Sequence, residues 1–296
     1  MQARQAKESV ARQLMKWATI ASACLIVVIV VGLFLRARPI LSLKPIGELL
    51  FSSDWHPLRG QFGFLPFIAG TVWVTLVAVL IAVPLCLLTA IYLSEYAYGW
   101  LRNLLTPLID LLAGIPSVVY GVWGVLVVVP LIKKQVAPLF GSFSTGYSVL
   151  AGGVILAIMI FPIIIHVSLE ILQAVPRELR EASLALGASR WQTVKRVVLR
   201  KALPGIVAAV VLGLSRALGE TMAVLMVCGN VAKVPRSVLD PAYPLPALIA
   251  NNYGEMLSIP LYDSALLLAA LVLLLVVLVF NVLSRVILIR VEKRVR

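Results

Sequence analysis

Two ionisable residues stand where a membrane-embedded chain would keep them only for a reason. Arg216 and Glu220 lie in the stretch 204–229, which carries no other charge. Four positions apart, they share one face if the stretch is helical. If a span starts at Pro204, Arg216 is about 18 Å along at about 1.5 Å per residue, near the middle of a ~30 Å hydrocarbon layer. An unpaired charge there costs at least a few kcal/mol, so the residues must be paired, wetted or used. A guanidinium is a planar fork of donors that stays charged at any relevant pH, which suits an oxyanion. A carboxylate one turn away can hold that fork when no anion is present and keep the anion from settling too tightly to leave. The same residues also admit a plain structural ion pair.

Two neighbouring features must position this pair. Gly205, Ala209, Gly213, Ala217 and Thr221 recur at a spacing of four, the small-residue stripe that lets membrane helices approach closely. Just before it, nine of the twenty-five residues 177–201 are ionisable, and Gly187 divides them. Ser189 and Gln192 have the spacing of a reciprocal N-terminal cap. The first arm shows Leu179, Ala182 and Leu186 at helical spacing with Arg180 and Glu181 turned away. The second shows Trp191, Val194 and Val198 against Lys195 and Arg196. The pattern predicts a helix–glycine–helix elbow that can dock on a soluble partner.

Composition sets the wider frame. The chain of 296 residues is 61% hydrophobic and 13% charged, against roughly half apolar in soluble domains. Uncharged runs at 17–35, 60–94, 111–132, 135–165 and 264–284 each reach the ~20 residues that cross a bilayer as helix, and 204–229 makes a sixth span. With the N-terminus inside, seventeen Lys and Arg fall in inner segments and eight in outer ones, which predicts both termini in the cytoplasm. The net charge of +13 thus records topology and implies no nucleic-acid partner. Cys24, Cys86 and Cys228 have no metal-like spacing and read as small buried apolar residues. The first apolar run is too long for a signal-peptide core and is expected to stay as an anchored helix. No G-x-x-x-x-G-K-[ST] phosphate cradle occurs, so the chain is read as a non-enzyme.

Along the chain, spans are expected at about 17–35, 67–93, 111–132, 149–172, 204–229 and 264–284. Pro84 falls inside span two. Gly114, Pro116, Ser117, Tyr120 and Gly121 cluster at the start of span three, as a tight helix crossing or as the lining of a cavity. His166 and Glu170, one turn apart near the inner end of span four, read as a structural pair rather than a proton relay. Outer loops are expected at 36–66, with Trp55, His56 and Arg59 at the interface, and at 131–148, with Lys133 and Lys134. The Pro-rich outer segment 230–263, too long for a mere turn, is the candidate contact for an external partner. Arg285, Arg290, Lys293, Arg294 and Arg296 clamp the inner end of span six.

At the elbow the residues resemble the EAA loop of ATP-binding-cassette importer permeases, Glu-Ala-Ala, three residues, Gly, then Ile-x-Leu-Pro. Glu181, Ala182, Ser183 and Gly187 match in spacing; Arg200 stands where the Pro is expected, and Leu203-Pro204 comes later. The stretches GLSRALGETMAV (213–224) and GIPSVVYG (114–121) make the chain more similar to the phosphate-importer permeases, and to their PstC type more than to the PstA type. The resemblance implies an all-α polytopic membrane protein of six transmembrane helices, type I importer permease-like. It implies a substrate pathway that includes Arg216, Glu220, Thr221, Ser117 and Tyr120, the last two as cavity lining. It implies ATPase coupling through Glu181, Ala182, Ser183, Gly187, Arg190 and Trp191. Residues 1–66 then form the N-terminal segment, first helix and outer loop, 67–289 the permease core with its coupling loop at 177–201, and 290–296 a basic tail. The implied partners are a homologous PstA-like permease, two copies of a cytoplasmic ATPase holding ATP and Mg, an extracytoplasmic phosphate-binding protein, and the lipid bilayer of the inner membrane. No cofactor is expected on this chain. The competing readings are a permease for molybdate or sulfate, the PstA-type partner, a secondary transporter or channel that works without an ATPase, and a membrane enzyme, for which no convergent nucleophile or metal cluster is found.

Overall fold

The computed structural model describes residues 2–141, 143–254, 259 and 261–295, with side chains between residues 10 and 290 of these. The chain opens with α1 (Gln2–Leu43) and α2 (Ile46–Phe51), followed by an antiparallel hairpin of β1 (Trp55–His56) and β2 (Gln61–Phe62). α3 (Leu65–Ile91) closes in a π-helical turn, Tyr92–Tyr96, before α4 (Gly99–Gly114). α5 (Ser117–Trp123) runs on through π-helical turns at 124–128 and 132–136, joined by α6 (Val129–Leu131) and ending in α7 (Ala137–Leu139). Then come α8 (Val149–Gln173), α9 (Arg177–Ala185) and α10 (Arg190–Thr193). α10 passes through a π-helical turn, Val194–Val198, into α11 (Leu199–Gly219). α12 (Met222–Val227), α13 (Leu245–Asn252) and α14 (Tyr262–Val295) complete the chain.

Among the described residues, six helical stretches are long and apolar enough to cross a membrane: Val10–Leu43, Leu65–Tyr96, Ser117–Leu139, Val149–Gln173, Arg190–Gly219 and Tyr262–Arg290. The six-span all-α class expected from sequence is therefore present, with three shifted boundaries. The first helix runs on to Leu43, past the expected end at 35. The third begins after a break at Ile115 and Pro116, whose ψ angles of 128° and 143° leave the helical region, as a residue preceding proline tends to. It then stays helical to Leu139, so Lys133 and Lys134 sit in helix and not in a loop. The fifth span starts at the elbow itself and stops at Gly219, ten residues short of expectation.

α8 is the central post: 67% of its apolar stretch is buried, against 39% or less for the other five. It packs against α3 on one side and α11 on another. The small-residue stripe makes the second contact possible. A methyl carbon added at Gly205 would lie 2.6 Å from Ile171, and one at Gly213 would lie 2.7 Å from Ile164, both far inside van der Waals contact. Ala209 and Ala217 between them are buried. This is close approach by packing, the form of association available in lipid.

A second apolar cluster, beside α14, joins the outer hairpin to the bundle. Trp55 stands edge-on to Phe67 with ring centroids 4.8 Å apart, and Phe62, Phe64, Tyr243 and Tyr262 pack around them. Part of the 230–263 segment serves this cluster: it folds into α13, whose Leu245, Ala247 and Leu248 are buried. That portion is scaffold, because its apolar residues find a core; Pro260 lies outside the described residues. α1 rests on α14 with most of its side chains exposed. Of the basic clamp after span six, Arg285 and Arg290 are described, and the side chains of Lys293, Arg294 and Arg296 are outside the described set.

Gly213→Leu must push α11 off α8 and is expected to cost about 1–3 kcal/mol. Leu212→Ala, at a position 53% exposed, is expected to stay within about 0.5 kcal/mol of wild type. Thermal unfolding of the detergent-solubilised chain compares them; an unchanged midpoint for Gly213→Leu would refute the close contact.

Candidate functional site

The fifth span is broken at the residues singled out by the sequence. α11 ends at Gly219, and Glu220 takes extended backbone angles, φ −71° and ψ 129°. Thr221 (φ −114°, ψ −59°) then leads into α12. Glycine favours such an ending, being about 1 kcal/mol worse than alanine in a helix. The freed main-chain groups are met locally. Glu220 Oε1 accepts from the Ala223 N–H at 3.3 Å, capping α12, and the Thr221 hydroxyl donates to the Gly219 carbonyl at 3.3 Å.

This break changes the expected geometry of the pair. Helical phase is not carried through Glu220, so Arg216 and Glu220 do not share a continuous face. Their predicted ion pair is absent among the described residues. Glu220 turns to α12 and to a small cleft shared with Thr71, Thr75, Leu156, Pro244 and Pro246. Arg216, one turn before the break, is exposed, with no hydrogen bond or ion pair among the described residues. Beside it, Ser215 donates to Asn281 Oδ1 at 2.8 Å and ties α11 to α14, a link with no signal in the sequence.

A second interrupted helix meets the first. α5 starts at Ser117 after the Ile115–Pro116 break and crosses α12. A methyl carbon on Gly121 would lie 3.2 Å from Ala223 Cα and 2.6 Å from Met226 Sδ, so the crossing uses the space glycine leaves. Ser117 is half-buried. Tyr120 is buried, and its hydroxyl donates at 2.7 Å to the Leu112 carbonyl near the end of α4, which also accepts from the Ile115 N–H at 3.3 Å. The Tyr120 hydroxyl thus has a main-chain partner.

The elbow has the predicted form. Gly187 adopts φ +82°, a left-handed turn that ends α9, and the Ala188 N–H reaches back to the Ser183 carbonyl at 3.3 Å. The capping box is formed: Ser189 Oγ accepts from the Gln192 N–H at 3.3 Å and Gln192 Oε1 from the Ser189 N–H at 2.9 Å. Ser183 and Thr193 hydroxyls, 3.0 Å apart, join the two arms. Val194 and Val198 are buried as the periodicity implied, but Trp191 is exposed. On the first arm the apolar face points outward: Leu179, Ala182 and Leu186 are exposed, alongside Glu181.

The inward side of that arm belongs to Arg180. It donates to Glu95 Oε1 at 2.9 Å and Oε2 at 3.4 Å, to the Leu172 carbonyl at 2.8 Å, and to the Val175 carbonyl. Arg102 donates to the Leu93 and Ser94 carbonyls at 2.9 and 3.0 Å. Arg190 donates to the Glu95 carbonyl and lies 5.0 Å from the Tyr96 ring centroid. Arg180 and Arg190 therefore clamp the α3–α4 turn to the elbow, Arg180 also reaches the end of α8, and Arg102 braces the turn from within. Sequence reasoning missed Glu95, which lies 85 residues from its partner. On α8, the expected His166–Glu170 contact exists at 3.4 Å, and Asp110 joins it at 3.3 Å from the other ring nitrogen.

Residues 82–296 match the family model for the binding-protein-dependent transport system inner membrane component. The chain is 42% identical over 247 residues to the probable ABC transporter permease protein YqgH of Bacillus subtilis (strain 168), covering 80% of this chain and 78% of that one. It is 38% identical over 261 residues to the phosphate transport system permease protein PstC of Xylella fastidiosa (strain Temecula1), covering 83% and 80%. The PstC of Mesorhizobium japonicum is 35% identical over 295 residues, covering 94% and 90%. Among solved structures, a bacterial alginate ABC transporter chain aligns with a TM-score of 0.64 at 16% identity, covering 94% of each chain. An inward-facing MetNI methionine transporter chain aligns at 0.58 and 22%, covering 75% of this chain and 93% of that one. The chain belongs to the binding-protein-dependent transport system inner membrane component family and is a multi-pass membrane protein.

With side chains only 19% and 9% exposed, Arg180 and Glu95 form a largely buried pair. Removing one partner typically costs about 3–5 kcal/mol. Glu95→Gln and Arg180→Gln are therefore each expected to raise amide hydrogen exchange across residues 177–193, and the swapped double variant Glu95→Arg/Arg180→Glu to recover part of the protection. Unchanged exchange in both single variants would refute the clamp.

Proposed function

We propose that this member of the permease family is a phosphate-conducting subunit of an ATP-driven importer, of the PstC type. The observation that carries the reading is Arg216, a guanidinium with no protein partner among the described residues, set beside the break between α11 and α12. It lies fifteen residues past Lys201 and seventeen before Lys233, the nearest cations on either side. A cation at that depth is tolerable where it faces protein or a water-filled cavity, and irregular backbone has the same requirement. A fork of five N–H donors with no acceptor of its own fits a tetrahedral oxyanion. Phosphate is the anion in the names of the PstC relatives.

In this reading the residues have separate tasks. Arg216 binds the anion as it passes. Glu220 holds the start of α12 and, as a fixed negative charge near the path, favours release; Thr221, Ser117 and Tyr120 shape the adjoining wall. An even number of spans puts both termini on the elbow's side, and the inner excess of Lys and Arg makes that side the cytoplasm. The exposed Leu179, Leu184, Leu186 and Trp191, with Glu181, Ala182 and Arg190, offer an apolar and charged face to a cytoplasmic ATPase. Ser183 and Gly187 fix the bend that presents it. Two copies of that ATPase, which binds ATP and Mg, serve this chain and a PstA-like permease partner. A phosphate-binding protein delivers substrate from outside. ATPase closure moves the elbow, and the arginine clamp passes that motion to α3, α4 and α8.

Arg216→Gln is expected to lower phosphate uptake in membrane vesicles by roughly a hundredfold, the worth of a charged hydrogen-bond partner at about 3 kcal/mol. The ATPase and partner permease should still co-purify with the variant. Uptake at the wild-type rate would remove Arg216 from the pathway.

A further inference from the structure

The clamp encloses more than it needs. Between the α3–α4 turn and the elbow lies a cavity of about 420 Å³, walled by Arg102, Arg177, Arg180 and Arg190 and by Glu95 and Glu181. Four guanidiniums face two carboxylates, an excess of two positive charges. The donor count is more lopsided still, because each guanidinium carries five N–H groups and accepts none. Both Glu95 oxygens are taken, by Arg180 and by the Ser94 hydroxyl. Arg102 spends two donors on main-chain carbonyls and Arg190 one. Arg177 makes no hydrogen bond or ion pair among the described residues. Holding several guanidiniums around one space without a matching anion costs repulsion; a doubly charged oxyanion removes it.

We propose that this cavity is an anion site for a phosphate group, distinct from the Arg216 path. Its volume exceeds what a bare phosphate ion fills and admits a phosphomonoester. Its walls include Gln173, the last residue of span four, and Ser94, near the end of span two, so it opens at the membrane surface. Two sources present the same chemistry there: free phosphate and the headgroup of an anionic phospholipid. Either would bridge Arg177 on the elbow to the α3–α4 turn. Occupancy then stabilises the clamped elbow by an amount that grows with the logarithm of ligand concentration above the dissociation constant, and the neighbouring Glu181 carries the effect to the exposed face of α9.

The test uses the full-length chain in phosphatidylcholine nanodiscs, probed with radiolabelled inorganic phosphate, and the detergent-solubilised chain titrated with phosphatidic acid by native mass spectrometry. Arg177→Gln is expected to weaken one of the two probes about tenfold, the loss of one charged fork, and Arg177→Lys to weaken it less. Arg177 is exposed and makes no hydrogen bond or ion pair among the described residues, so the variant should elute and unfold like wild type. Sensitivity of the phosphate arm assigns the site to soluble phosphate, and sensitivity of the phosphatidic acid arm assigns it to a lipid headgroup. Indifference of both probes to Arg177→Gln overturns the proposal. So does phosphate binding that vanishes in Arg216→Gln and ignores Arg177→Gln, an outcome that would leave the transport reading standing.

Discussion

In the proposed reading, a guanidinium at bilayer depth with no carboxylate against it among the described residues constrains everything built around it. Insertion scales put its cost against lipid at about 3 kcal/mol, and the open main chain beside it adds several polar groups that hydrocarbon cannot satisfy. Both difficulties are met in the same place. Glu220 and Thr221 satisfy part of the break with their own side chains, α12 packs on α5 through Gly121, and Arg216 remains unpaired. The surrounding helices then have to enclose water or a partner subunit where an ordinary bundle would enclose only side chains.

The bundle does this by concentrating its packing on one helix. α8 is buried on most sides, and the glycines of α11 let that helix press on Ile164 and Ile171 of α8. α11 is also the direct continuation of the elbow, through one π-helical turn at 194–198. A force on the elbow therefore reaches Arg216 along a single helix, and reaches α8 and the α3–α4 turn through Arg180 and Glu95. Rigid links of this kind suit rocking between two states better than local melting, because packed interfaces shift as units.

What was legible in the sequence was mostly local. The capping box at Ser189 and Gln192 depends on four adjacent residues, and Gly187 on one backbone angle, so both formed as expected. The small-residue stripe was legible because period four survives along a straight helix. The break at Glu220 was not, because no proline marks it: GLSRALGETMAV has the composition of one helix, and tertiary packing of α12 on α5 competes with local propensity there. Nor was the arginine clamp, since nothing near Arg180 announces a partner 85 residues earlier. Helical periodicity set Arg180 of α9 apart from Leu179, Ala182 and Leu186, but Glu181, expected beside Arg180, is exposed with the apolar residues. Periodicity could not tell which face would be at the surface, and the apolar one is.

The central claim is that position 216 lies in an aqueous path that opens to each side in turn. Cysteine placed there, with the exposed Cys24 replaced and the buried Cys86 and Cys228 left in place, can be labelled by a membrane-impermeant thiol reagent in sealed vesicles carrying the assembled transporter. Labelling should come from one side without nucleotide and from the other when the ATPase is trapped with ATP. A cysteine that reacts from neither side in either state would contradict the account, as a site facing lipid or sealed in protein would do.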